Sequence, residues 1–212
     1  MPVDFLTDEQ NQTYARYPKK LTQEQLDKYF YLDDKDKELI DACRRDYNKL
    51  GYALQLTTVR FLGTFLPNPV DVPSDVIHYI AKQLGISLPA DVDRYLERKA
   101  TRSAHCNEIK AIFDYQDFNV IWRFRLNRWL YSQAWFGNER PSILFERCAM
   151  WLVMRRVLLP GISTLVIMIS KVRERVSKRL WQRLSSLANP SQKEQLENLL
   201  LIPTGKRYSK LD

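Results

Sequence analysis

Glycine is scarce in this chain, with six in 212 residues, and ten prolines are few turn-makers for such a length. That argues against an all-β barrel or sandwich, which needs a turn signal roughly every 8–12 residues. Cysteine is scarcer still. Cys43, Cys106 and Cys148 are odd in number and far apart, so no disulfide framework is implied and a reducing cytoplasm is the expected home. The two histidines, His78 and His105, have no cysteine at metal-ligand spacing, which argues against zinc. No glycine-rich phosphate loop occurs, and no nucleophile, base and orienting group come together. The opening Met1-Pro2-Val3-Asp4-Phe5 lacks the basic-then-apolar order of a signal peptide. The thirteen-residue apolar stretch Val157–Ile169 is broken by Pro160-Gly161 and falls short of the ~20 residues a spanning helix needs, so no membrane is expected as partner.

What is present is a globular composition, 45% hydrophobic and 27% charged, which excludes intrinsic disorder. The net charge is +8 and unevenly placed: residues 1–50 carry 9 Lys and Arg against 11 Asp and Glu, whereas 151–212 carry 12 against 4. A basic surplus concentrated in one third of the chain suits a polyanion, nucleic acid or an anionic membrane surface, and the second of these lacks a lipid-anchoring signal here.

The pattern is helix after helix, and the expected fold class is all-α. Thr7 to Gln10, Thr22 to Gln25 and Ser191 to Glu194 have the capping-box form, in which a hydroxyl accepts from a backbone N–H three residues on and that residue's side chain reaches back. Leu50, Ala53, Leu54, Phe61, Leu62 and Phe65 recur at helical spacing over about 47–66, with Leu66-Pro67 as the expected stop. A helix after Pro73 carries Val76, Ile77, Ile80 and Leu84 and stops at Gly85. Further helices are expected over 89–97, 101–114, 118–136, 141–158, 162–188 and 191–201. Asp33, Asp34 and Asp36 cluster at a helix start, where carboxylates favour the dipole, so capping is preferred to magnesium binding.

Three regions could meet a polyanion. In 162–188, Lys171, Arg175 and Lys178 project opposite an apolar arc of Leu165, Ile169, Val172, Val176, Leu180 and Leu187, while Arg173 and Arg183 fall inside that arc. In 118–136 arginines alternate with aromatics; two aromatic stripes, Phe118-Trp122-Trp129-Phe136 and Phe124-Tyr131-Trp135, point to a helix buried between two layers rather than to a base-stacking surface. The stretch 74–99 has the form of a helix-turn-helix, with Ala81 four residues before Gly85 and Ser87-Leu88-Pro89 starting a second helix that bears Arg94, Arg98 and Lys99. Its defect is Asp91 where an apolar residue is usual. Leu26–Phe30 followed by Leu39-Ile40, Arg44-Arg45 and Asn48 loosely echoes Val76–Ile80 followed by Val92, Arg98-Lys99 and Arg102–His105, the pattern of a tandem pair.

The run Arg44-Arg45-Asp46-Tyr47-Asn48-Lys49-Leu50-Gly51-Tyr52-Ala53-Leu54-Gln55-Leu56-Thr57-Thr58-Val59-Arg60-Phe61-Leu62-Gly63-Thr64-Phe65 resembles the TnpA-type transposases of the Tn-three family. So do Met1–Thr7, Tyr79–Ile86 and Thr101–His105 through Glu108-Ile109, so the resemblance runs along the whole chain. It implies the amino-terminal DNA-recognition region of a much longer protein, binding the duplex of the transposon's terminal inverted repeats, with room for self-association in the full transposase. The family's catalytic domain, with its Asp-Asp-Glu triad and magnesium, matches no block here. The chain is therefore expected to be no enzyme and to hold no cofactor of its own. The ending Arg207–Asp212 looks like a family segment stopped in mid-run.

These readings combine into three expected regions: a first helical DNA-binding unit over 1–68, a helix-turn-helix-like unit over 69–116, and a helical region with an aromatic core and the basic helix over 117–212. Base or phosphate contacts are assigned to Arg44, Arg45, Asn48 and Lys49, and to Arg94, Arg98, Lys99, Arg102 and His105. Lys171, Arg175, Lys178 and Arg179 are assigned to the DNA backbone. The expected location is the bacterial cytoplasm, on the nucleoid. The alternative is a non-catalytic helical module that binds protein.

Overall fold

The computed structural model describes residues 5–86, 89–137 and 139–202, and for 89–91 the backbone alone. The chain is all-α. Its helices are α1 (Asp8–Thr13), α2 (Gln23–Tyr29), α3 (Asp34–Asp41), α4 (Asp46–Leu62), α5 (Ser74–Gln83), a 3₁₀ helix (Pro89–Leu96), α6 (Lys99–Ile112), α7 (Val120–Phe136), α8 (Pro141–Val153), α9 (Ile162–Leu187) and α10 (Pro190–Leu200). Among the described residues the extended backbone pairs at one isolated parallel bridge, Gln116 with Val157.

The helix starts follow local chemistry. Thr7 and Thr22 form the expected capping boxes, and Asp33 caps α3 through Asp36 N–H at 2.8 Å. The last box differs from expectation: Asn189 caps α10 together with Gln192, because Pro190 fits the first helical position, where no N–H is needed. Two stops also differ. α4 ends at Gly63, whose φ of 72° is left-handed, four residues before Pro67. α8 ends at Val153 rather than 158, because Arg156 turns back at φ 54° and feeds the bridge.

Two hydrophobic cores result. The first gathers Leu21, Leu26, Phe30, Leu32, Ile40, Val76, Ile80 and Ile109 around α4. Leu50 through Val59 are buried without interruption, so α4 is enclosed on every side instead of presenting one apolar face. The second core packs α7, α8 and α9 through residues such as Trp122, Leu126, Leu130, Leu144, Phe145, Cys148, Leu165 and Ile169. Phe5, Leu6 and Tyr14 close this second core, and Tyr17 then crosses to bond Thr58 Oγ1 at 2.8 Å in the first. The cores are tied together where Leu159 N–H donates to the Gly63 carbonyl (2.9 Å) and the Arg156 guanidinium to the Phe113 carbonyl (2.8 Å).

The expectation for 118–136 is corrected. α7 lies on the surface, with only Trp122, Leu126 and Leu130 fully inward; Phe124 is 61% exposed and Phe136 86%. Arg123, Arg125 and Arg128 explain why, since guanidiniums on the outer turns keep that face in water. The helix buried between layers is α4, which carries no charge from Leu50 to Val59.

Candidate nucleic-acid interface

Only the first part of the expected helix-turn-helix is present among the described residues. α5 and the left-handed Gly85 (φ 67°) are in place, but 89–96 is a 3₁₀ helix and not an α-helix. The expected helix start at Ser87-Leu88 lies outside the described residues, as do the Asp91 side chain and the ending Arg207–Asp212. The 3₁₀ helix is pulled inward by Tyr95, 1% exposed, whose ring lies against the backbone of Gly51. Arg94 from the same turn stacks on the Tyr47 ring with its guanidinium carbon 5.1 Å from the centroid.

These contacts place Arg94 beside the start of α4, while the two basic sets stand at the α3–α4 turn and at the start of α6. Arg44 and Arg45 are exposed at the α3–α4 turn, and Arg45 begins α4. Asn48 is half-buried, and Lys49 holds Asp41 at 2.7 Å. Arg98 is the exposed residue at the start of α6, followed by exposed Lys99. Lys99 and Arg102 line a cleft with Gln55, Pro67 and Pro69. Arg102 Nε is buried and makes no hydrogen bond among the described residues.

His105 sits differently. It is 9% exposed, T-shaped to the Tyr52 ring, with Nδ1 2.8 Å from the Tyr95 hydroxyl and Nε2 3.8 Å from Cys43 Sγ. The Gln55 amide donates to the Tyr95 oxygen, which also meets Nδ1. The Cys106 thiol donates to Gln55 Oε1, which completes a relay of five side chains. Burial lowers the His105 pKa and raises those of both thiols. Neutral thiols beside a neutral imidazole pack and position; they are not a thiolate–imidazolium pair poised for attack. The relay ties the α3–α4 turn to α6, and neither Gln55 nor Tyr95 carries a sequence signal for such a role.

The third basic set belongs to the other core. α9 packs on α7 and α8 through Leu165, Ile169, Val172 and Val176, leaving Lys171, Arg175, Lys178 and Arg179 exposed. Arg173 leaves the apolar arc by reaching across, its guanidinium donating to the Glu139 carbonyl at 2.5 Å. Several arginines of the aromatic region serve the fold: Arg125 stacks on Trp122 at 4.7 Å, and Arg155 on Trp151 at 4.1 Å. Groups of three or more metal-ligating side chains do not occur among the described residues, and no described helix is long and apolar enough to cross a membrane.

Residues 5–172 match the family described as a domain of unknown function, DUF4158. The chain is 46% identical over 213 residues to the transposase for transposon gamma-delta of Escherichia coli (strain K12), covering 100% of this chain and 21% of that protein. It is 31% identical over 198 residues to the transposase for transposon Tn1546 of Enterococcus faecium, covering 93% of this chain and 20% of that one. With the transposase for transposon Tn501 of Pseudomonas aeruginosa it shares 29% over 184 residues, 87% of this chain and 18% of the relative. The chain spans about a fifth of the length of these curated relatives.

Proposed function

This chain belongs to the DUF4158 family and corresponds to the amino-terminal part of Tn-three family transposases, and from that premise we propose that it binds the double-stranded terminal inverted repeats of its transposon. What supports the reading is that Arg44 and Arg45 are exposed at the α3–α4 turn and Arg98 and Lys99 at the start of α6, two basic segments fastened to one helical body by Tyr95 against Gly51 and by the Cys43–His105 contact. Arginines and lysines grouped on one side of a helical body suit phosphate oxygens, and a few side chains reaching a groove add base recognition. Lys49 can exchange its exposed partner Asp41 for a phosphate at little cost. His105 is left out of the contact surface because its ring is buried. The stripe Lys171, Arg175, Lys178 and Arg179 holds backbone at a second place on the duplex. Strand cutting and joining, with the magnesium they need, belong to the remainder of the transposase.

A gel-shift with the parent element's end sequence against a scrambled duplex, repeated across salt concentrations, tests this. With about six phosphate contacts the slope of log affinity on log salt is near −5. Equal affinity for both duplexes, or a binding constant indifferent to salt, overturns it.

A second reading applies to a different part of the chain. Beyond Val176 the arc of α9 outruns the core, and Trp181 (68% exposed), Leu187 (74%) and Leu200 of α10 (65%) face solvent. Apolar surface of that kind serves protein contacts. Sedimentation of the chain alone, compared with a Trp181→Ser/Leu187→Ser variant, tests it.

A further inference from the structure

We propose that the cleft between α7 and α9 is a site for an unpaired nucleotide, taking the base against its aromatic wall and the phosphate between its arginines. The proposal extends the duplex-binding reading to single-stranded DNA at a separate place, and its test distinguishes the two.

The cleft measures about 410 Å³, within the roughly 300–1,000 Å³ of small-ligand sites. α7 supplies Tyr131, Trp135 and Phe136 on one wall and Arg128 at its end; α9 supplies Arg179 and Arg183 opposite. The Tyr131 and Trp135 rings, one helical turn apart, stack with 6.0 Å between centroids and 15° between planes. The pair gives the cleft an aromatic ledge, and Phe136, 86% exposed, lines the same cleft. Tyr131 and Trp135 are half-buried at the edge of the second core, whereas Phe136 contributes to neither core.

The charge is one-sided. Three guanidiniums line the cleft and, among the described residues, no carboxylate does. Arg179 makes a long 3.5 Å contact with the Tyr131 hydroxyl, which steers it to the ledge while engaging one of its five N–H donors. Side chains of this kind bind an anion with a flat ring attached. A bare phosphate leaves the ledge unused. An apolar peptide leaves three guanidiniums desolvated and unpaired, which is costly. A paired base in an intact duplex has both faces covered by its neighbours, so it cannot reach the ledge unless it is unstacked. An unpaired nucleotide satisfies both halves, as in single-strand binders that combine basic grooves with aromatic stacking.

The experiment compares the full chain on three labelled DNAs: a thymidine strand of about twelve nucleotides, an abasic strand of the same length, and a blunt duplex. The abasic strand keeps the phosphates and removes the bases. The wild-type chain is expected to hold the thymidine strand about tenfold more tightly than the abasic one. Phe136→Ala, at a position outside the cores, is expected to erase most of that preference and leave duplex affinity unchanged. Arg128→Ala/Arg183→Ala is expected to weaken both single strands. A 5-iodouracil in the strand is expected to cross-link to Tyr131, Trp135 or Phe136. Equal binding of thymidine and abasic strands, or cross-links confined to residues outside the cleft, overturns the proposal. Failure of blunt-duplex binding alone counts against the duplex reading and leaves the single-strand result to judge the cleft. An affinity reproduced by acidic peptide or anionic vesicles, with no preference for thymidine, assigns the cleft to those ligands and also overturns it.

Discussion

The ring of Tyr95 rests directly on the backbone of Gly51: a Cβ placed there would come within 2.4 Å of the ring's Cγ and Cδ1. This contact seats the 3₁₀ helix on α4 and so sets where Arg94 and the start of α6 stand. Only glycine permits the approach, and the ring, 1% exposed, has no room to retreat.

Gly51→Ala is therefore expected to destabilise the chain despite alanine's better helix propensity. Relieving a clash of this kind costs about 1–3 kcal/mol, against roughly 1 kcal/mol returned by the helix. Gly85→Ala meets open space, and its cost comes from the left-handed φ of 67° alone. Urea midpoints of the two variants check this; a Gly51→Ala chain as stable as wild type refutes the packing account.

Asp36 and Arg60 form a two-pronged ion pair, Oδ2 to Nη1 at 2.7 Å and Oδ1 to Nη2 at 2.6 Å, with Asp36 fully buried. Removing one partner strands the other charge. Asp36→Ala is expected to cost about 3–5 kcal/mol, whereas Lys49→Ala, which loses an exposed pair with Asp41, leaves stability nearly unchanged. Denaturant unfolding of both variants measures the contrast.

The buried His105 makes stability depend on pH. Its folded pKa lies below the ordinary value of about 6.5 because burial disfavours the imidazolium. Below that value the unfolded chain takes up the proton more readily than the folded one, so stability is full above pH ~6.5 and falls as the pH drops toward the lowered folded value. A His105→Gln variant is expected to show a flatter fall between pH ~7.5 and ~5.5 in unfolding midpoints. An unchanged pH profile would falsify this.

The two basic sets are expected to fail differently on mutation. Arg98→Ala or Arg102→Ala, at the start of α6, weakens cognate duplex more than scrambled duplex, since an arginine bidentate to guanine discriminates by about 1–3 kcal/mol. Lys171→Ala, Arg175→Ala and Lys178→Ala, on the open stripe of α9, weaken both about equally and flatten the salt slope by roughly one per contact. Binding titrations on both duplexes, with circular dichroism as a folding control, decide it. Lost selectivity in the stripe variants and retained selectivity in the others reverses the roles.

The sequence alone determined the local matters: an all-helical chain, capping at Thr7, Thr22 and Asp33, glycine at the turn after α5, and a basic surplus in the last third. Each depends on residues within a few positions of one another, so short-range pattern suffices. Tertiary structure decided which helix became central. Periodicity reports the face a helix could bury, not how many neighbours will cover it; the uncharged run Leu50–Val59 allowed α4 to be enclosed, and the arginines of α7 kept that helix outside. The same holds for single residues. His105 and Arg102 lie three apart on α6, yet Tyr95 and Cys43 claim the histidine for the core while Arg102 lines a cleft. Asp36 reads as a cap in the sequence and is one, but its second role needed Arg60 brought alongside by the packing of α3 on α4. Partners 24 or 62 positions apart leave no short-range trace, because only the folded chain sets their distance.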